Sequence, residues 1–171
     1  MKFDTIDYLK TGNERQQRAY DVLTNHRILT QLAPFSPVLV GTIPINIDIE
    51  SSDLDIICQW FDKNAFATAL HSFFGHYPNF TFWENPAHQA VVAHFIVDGV
   101  EIEVFGQNIP IKNQNAYRHM LVEDKLLAQH GEAFRQQIVS LKRQGYKTEP
   151  AFALALGLEG DPYLALLALE V

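Results

Sequence analysis

The stretch Val38-Leu-Val-Gly-Thr-Ile-Pro-Ile-Asn-Ile-Asp-Ile-Glu-Ser-Ser-Asp-Leu-Asp-Ile-Ile-Cys58 decides how this chain is read. It opens on a short apolar run, breaks at Gly41-Thr42, and closes with Asp53 and Asp55 leading a second apolar run. Residues two apart on a strand share a face, so both carboxylates project to one side while Leu54 and Ile56 pack on the other. Two acids side by side on a sheet repel one another and desolvate poorly. A cation relieves both costs, and Mg²⁺ is the usual guest of one or two carboxylates plus phosphate oxygens.

Within the stretch, Gly41 has no side chain to keep a phosphate at a distance, and the Thr42 hydroxyl and amide are donors. Ile43, Ile45, Ile47 and Ile49 alternate with Pro44, Asn46, Asp48 and Glu50, which predicts a rigid, partly covered connection with a short edge strand. Asp48 and Glu50 read as exposed acids on that half-buried strand. Upstream, Ala19, Val22, Leu23, Ile28, Leu29 and Leu32 recur at helical intervals and predict a helix over 14–31, capped at Asn13 and stopped by Pro34 and Pro37. Its first turn, Asn13 to Arg18, is polar throughout, as a solvated helix start would be.

Downstream, a strand is expected over 54–60 and a helix over 62–74, capped by Asp62, ended by Gly75 and striped by Ala65, Phe66, Ala69, Leu70 and Phe73. A strand over 79–84 follows. Ala90 to Val97, Asp98-Gly99 and Val100 to Phe105 then form a hairpin with the dipeptide favoured by a type I′ turn. Glu101 and Glu103 share one face of its second strand, repeating the geometry of Asp53 and Asp55. From Asn113 the period is helical: 115–129, 134–142 after Gly131, a helix from Pro150 to Gly157, and a last one opened by Asp161-Pro162. The apolar run Leu164 to Leu169 is expected to be buried, with a homo-oligomer contact as one use for it. Tyr117, Arg118 and His119 near one helix start, and Lys147 with Glu149 before another, concentrate the remaining polar chemistry. Arg118 or Lys147 suits a triphosphate, Tyr117 a base, and His119 a hydrogen bond, although a lone helical His is more often structural.

The turn Gly41-Thr42 after a strand, followed by Ser52-Asp53-Leu54-Asp55 at a strand start, resembles the Gly-Ser plus Asp-x-Asp signature of the nucleotidyltransferase-fold superfamily. Thr42 stands where its members usually carry Ser, and the hydroxyl is retained. Over nearly the whole chain, the segments at 12–20, 40–44, 52–55, 101–106, 114–120 and 147–152 resemble DUF4269, a family of uncharacterised bacterial proteins placed by its motif in that superfamily. The resemblance implies an α+β fold: a nucleotidyltransferase-like mixed β-sheet flanked by helices, with a C-terminal helical bundle. It also implies a third carboxylate from a neighbouring strand beside Asp53 and Asp55; Glu101 and Glu103 both remain open for that place. Gly41, Thr42 and Ser52 would meet phosphates, Asn13, Arg15 and Gln16 would face the cleft, and Tyr117, Arg118, His119 and Lys147 would serve the substrate.

The 171 residues, 47% apolar, suffice for one well-buried core. An α/β core over 1–110 and a helical region over 111–171 packed on it are expected. The net charge of -7 disfavours nucleic acid as a partner, because such binding draws on clustered Lys and Arg. No run reaches the roughly 18 to 20 apolar residues of a membrane span, and the opening residues lack the apolar core of a secretory signal. The single Cys58 forms no internal disulfide and fits a reducing cytoplasm; inside an apolar strand it is a poor nucleophile. Glycine-rich phosphate loops, the Gly-x-Ser-x-Gly elbow and paired zinc ligands are absent.

The expected activity is transfer of a nucleoside monophosphate from a nucleoside triphosphate to a hydroxyl of a small molecule or protein. Asp53, Asp55 and Glu101 or Glu103 would hold Mg²⁺ or Mn²⁺. The alternative is a non-catalytic domain of the same fold that binds a nucleotide or a partner protein.

Overall fold

The computed structural model describes residues 2–170. They group into two compact units: Met1–Val40 with Asp53–Gln114, and Gly41–Ser52 with Asn115–Val171. The chain thus changes unit after Gln114 rather than at 110, and the segment 41–52, expected with the sheet, groups with the C-terminal helices.

The first unit is built on a five-stranded mixed sheet in the order β1-β2-β5-β4-β3. Its strands are β1 (Val38–Val40), β2 (Leu54–Gln59), β3 (Thr81–Asn85), β4 (Ala90–Val97) and β5 (Val100–Gln107). Only β2 and β5 run parallel; the other neighbours are antiparallel. Asp98 and Gly99 turn β4 into β5 with φ of 50° and 78°, the left-handed pair a type I′ hairpin requires. The fold is α+β, as the family resemblance implies.

Helix α1 (Glu14–Asn25) begins with a capping box: Gln16 N–H donates to Asn13 Oδ1 at 2.8 Å, and Asn13 N–H to Gln16 Oε1 at 3.0 Å. The single helix expected over 14–31 is broken at Arg27, which is left-handed with φ 54°, so that α2 (Ile28–Gln31) is a separate turn. Helix α3 (Lys63–Phe74) is capped by the Asp62 carboxylate, which accepts from the amides of Asn64 and Ala65. It buries Phe66, Leu70 and Phe74, while Ala65 points to solvent. The Phe66 ring occupies the space a Cβ would need at Gly106 on β5. Phe74 stacks on Phe95 of β4 with ring centroids 4.5 Å apart. Cys58 is fully buried, and burial pushes its thiol well above the usual range.

The second unit holds α4 (Asn115–Arg143), α5 (Thr148–Leu156) and α6 (Pro162–Leu167). Gly131, at φ 79° and ψ -168°, interrupts α4, so the two helical stretches read from the sequence abut across a kink. The segment 41–52 is not a strand. It folds into turns in which Ile47 N–H donates to the Thr42 carbonyl at 3.1 Å and Asn46 N–H to the Ile43 carbonyl at 3.2 Å. Ile43, Ile45 and Ile47 are nonetheless buried, and their carbonyls need donors.

For Ile45 and Ile47, helix α4 supplies those donors as cations. Arg135 Nη1 donates to the carbonyls of Ile45 at 2.7 Å and Asn46 at 3.2 Å, and Lys142 Nζ to that of Ile47 at 2.8 Å. Arg143 adds an ion pair to Glu50 at 2.9 Å. The run 164–169 is not buried as a whole: Leu166 is, but Leu164 is 69% exposed, because a helix this short covers only one face. Among the described residues no helix is long and apolar enough to cross a membrane.

Candidate metal and phosphate site

The acids of the first unit are placed by strand register. In the parallel pair β2–β5, Asp55 lies opposite Glu103, and Leu54 opposite Ile102. Leu54, Ile56, Ile102 and Val104 are buried, so Asp55 and Glu103 stand together on the other face. In the antiparallel pair β4–β5, His94 lies opposite Glu103. A row of His94, Glu103 and Asp55 therefore crosses three adjacent strands. Glu103 is half-buried; burial first, and the charge of Asp53 second, raise its carboxyl above the ordinary range, while His94 pulls the other way. Glu101 is exposed at the row's margin, its Oε2 3.7 Å from His94 Nε2.

Of the two glutamates the sequence leaves open, Glu103 is thus the one in register with Asp55 and in the field of Asp53. His94 was not singled out by sequence reasoning, although a signal existed: a two-residue turn at 98–99 fixes the hairpin register and aligns 94 with 103. Among the described residues no three His, Cys, Asp or Glu side chains are grouped as a ready metal site. Mg²⁺ does not demand one, since it commonly takes one or two protein carboxylates and completes its shell with water and phosphate.

In the second unit, Gly41 adopts φ 82°, a conformation costly for residues with a side chain. The Thr42 hydroxyl lies 3.4 Å from that of Ser52, whose Oγ accepts from Ile49 N–H at 2.9 Å. Ser52 thereby closes the loop that Gly41 opens.

The other expected substrate residues have their own neighbours. Asn13 and Gln16 make the α1 capping box, and Gln16 is buried beside half-buried Arg15. Arg118 grips Glu170 through Nε at 3.0 Å and Nη2 at 2.6 Å. Tyr117 is a buried core residue of α4. His119 is buried too, with Nε2 3.0 Å from the Tyr163 carbonyl and Nδ1 3.7 Å from Glu149. Lys147 is exposed at the start of α5. Sequence reasoning also passed over Glu123, a carboxyl buried on α4, because helical spacing does not distinguish a buried acid from an exposed one.

The fold has solved relatives. The Cid1 poly(U) polymerase with Mg 3′-dATP bound superposes with a TM-score of 0.62 at 12% identity, over 84% of this chain and 48% of that one. A cytoplasmic RNA terminal U-transferase gives 0.58 at 14% identity, over 88% and 48%. The chain spans about half the length of these proteins, and at such identity the likeness is one of fold. No curated protein matches the sequence significantly. The family profile described as Domain of unknown function (DUF4269) matches residues 21–169, and the chain belongs to that family.

Proposed function

We propose that the protein is a divalent-metal-dependent nucleotidyltransferase. The observation that supports this most is the side-by-side placement of Asp55 and Glu103 on one sheet face, with Asp53 close enough to raise Glu103. That excess of negative charge fits a cation: Asp53, Asp55 and Glu103 would hold Mg²⁺ or Mn²⁺, which when bound neutralises phosphate charge. Gly41, Thr42 and Ser52 keep the phosphate role that the family resemblance implies for them.

In the transfer, an acceptor hydroxyl forms a bond to the α-phosphorus, the bond to pyrophosphate breaks, and the hydroxyl proton passes to a carboxylate of the set. The structural relatives named above include a poly(U) polymerase with Mg and a nucleotide bound, which supports a nucleoside triphosphate as donor. The net charge of -7 favours a small-molecule or protein hydroxyl over nucleic acid as acceptor, and a reducing cytoplasm suits the lone thiol.

Calorimetry with ATP, CTP, GTP and UTP, with and without Mg²⁺, coupled to pyrophosphate release against small molecules, peptides and RNA, tests this reading. Metal-dependent binding with release supports it, and binding unaffected by Asp55→Asn overturns it. The rival reading is a non-catalytic domain of the same fold that binds a nucleotide or a partner protein. Metal-dependent binding with no release would select that rival.

A further inference from the structure

The turn between β4 and β5 meets helix α1 at two places. Arg18 Nη2 donates to the Asp98 carbonyl at 2.7 Å and so fixes the backbone of the turn. The Asp98 carboxylate has a different neighbour: its Oδ2 lies 2.7 Å from Nε2 of His26, the residue that closes the C-terminus of α1. On the far side of the imidazole, Nδ1 lies 3.2 Å from the Tyr77 hydroxyl. A carboxylate only accepts, so in the neutral ring the proton sits on Nε2 and is donated to Asp98. Nδ1 then carries a lone pair and accepts from the Tyr77 O–H. Hydroxyl, base and orienting carboxylate stand in the order that activates a side-chain nucleophile.

The hydroxyl is also held in place. The Tyr77 ring stacks on Phe95 with centroids 5.5 Å apart and planes 17° apart, and the His26 ring meets it at 73°. Burial first, and the charge of Asp98 second, raise Tyr77 above the ordinary phenol range, so it needs a base to react. The side chains of His26 and Asp98 are 29% and 50% exposed, which leaves the group open to an electrophile from outside.

We propose that Tyr77 is an acceptor of the transferred nucleotide, a modification site at which a second copy of this chain places a nucleoside monophosphate, with His26 as base and Asp98 as its orienter. This rests on the nucleotidyltransferase reading and names an acceptor hydroxyl for it. The Tyr77 oxygen bonds to the α-phosphorus and the bond to pyrophosphate breaks. For this acceptor the phenolic proton passes to His26 Nδ1 rather than to a carboxylate of the metal set, and Asp98 steadies the imidazolium through Nε2–H. The need for a second copy follows from the sheet. Phe95 lies opposite Ile102 and under Phe74 of α3, whereas Asp55 and Glu103 stand on the other face. The sheet thus separates each Tyr77 from the acids of its own chain.

The test is to incubate the parent with Mn²⁺ and each of ATP, CTP, GTP and UTP, without another acceptor, and to map adducts by peptide mass spectrometry. One nucleoside monophosphate is expected on Tyr77 and none on that peptide in Tyr77→Phe, and His26→Gln should slow the transfer about a hundredfold. A mass-tagged Asp55→Asn chain should stay bare alone and become modified when mixed with the parent. A second probe needs no nucleotide: an arylsulfonyl fluoride should label Tyr77 ahead of the other tyrosines, and His26→Gln should remove that lead. Asp98→Asn, which tolerates the left-handed turn, should remove it too and replaces the His26 variant if that one folds poorly. Tyr77 left bare by a parent that releases pyrophosphate with another acceptor, or labelling indifferent to both substitutions, overturns the proposal. Preferential labelling in a protein that binds no Mn-triphosphate leaves an activated tyrosine and removes the nucleotidyltransferase reading, and the acceptor role with it.

Discussion

At the scale of single residues, the strand register separates two glutamates of identical chemistry. Glu103→Gln should weaken Mn²⁺-nucleotide binding about tenfold or more, whereas Glu101→Gln should leave it within about twofold, as isothermal calorimetry would read. Burial and Asp53 raise Glu103, so a proton competes with the metal for it. Mn²⁺ affinity should therefore climb with pH until Glu103 has ionised and level off above that, a profile that Glu103→Gln abolishes. The expectation that Asp53 and Asp55 share a face comes from strand alternation, which in the structure covers Asp55 but not Asp53, because β2 begins at Leu54. The choice between Glu101 and Glu103 was not legible in the chain, since it depends on which residue of β5 lies beside Asp55, a long-range fact of the β2–β5 pair. Glu123 was illegible for a related reason: burial of an acid is decided by what packs over it, not by its spacing.

At the scale of elements, local chemistry predicted starts and stops well and the intervening geometry less well. Asp62, Gly75, Asp98-Gly99 and Gly157 mark boundaries because each satisfies a definite backbone need. The isoleucine alternation at 43–49 misled because burial in turns, with carbonyls capped by Arg135 and Lys142, leaves the same period-two trace as a strand. Helix α3 meets the sheet through Phe66 over Gly106, and Gly106→Ala would drive a methyl into that ring. The expected loss is about 1 to 3 kcal/mol in urea unfolding, the cost of overpacking, with the midpoint lowered and the slope unchanged. Breaking the α1 capping box with Asn13→Ala should cost about 1 kcal/mol by the same measurement, through the lost acceptor for Gln16 N–H.

At the scale of the whole molecule, Glu123 links stability to pH. Its folded-state carboxyl titrates near 8 against an ordinary value of 4.5, so between those limits the folded chain binds the proton that the unfolded chain has released. Stability should therefore fall as pH rises through that window, at up to about 1.4 kcal/mol per pH unit, and stay level with respect to this group above it. Thermal unfolding of the parent and Glu123→Gln across the window checks this, the variant losing most of the slope. The class of fold was readable through the resemblance carried by the segments around Gly41, Asp53 and Glu103, and the five-stranded mixed sheet flanked by helices agrees with it.

The grouping of Gly41–Ser52 with Asn115–Val171 has one more consequence. The polypeptide leaves the sheet between two hydrogen-bonded neighbours, β1 and β2, and comes back to it before departing again after Gln114. A fragment ending at 114 would carry three isoleucines stripped of their cover. Such a piece should clump when made by itself and dissolve when the missing tail is co-produced, because that tail brings Arg135 and Lys142, which hold the loop's carbonyls.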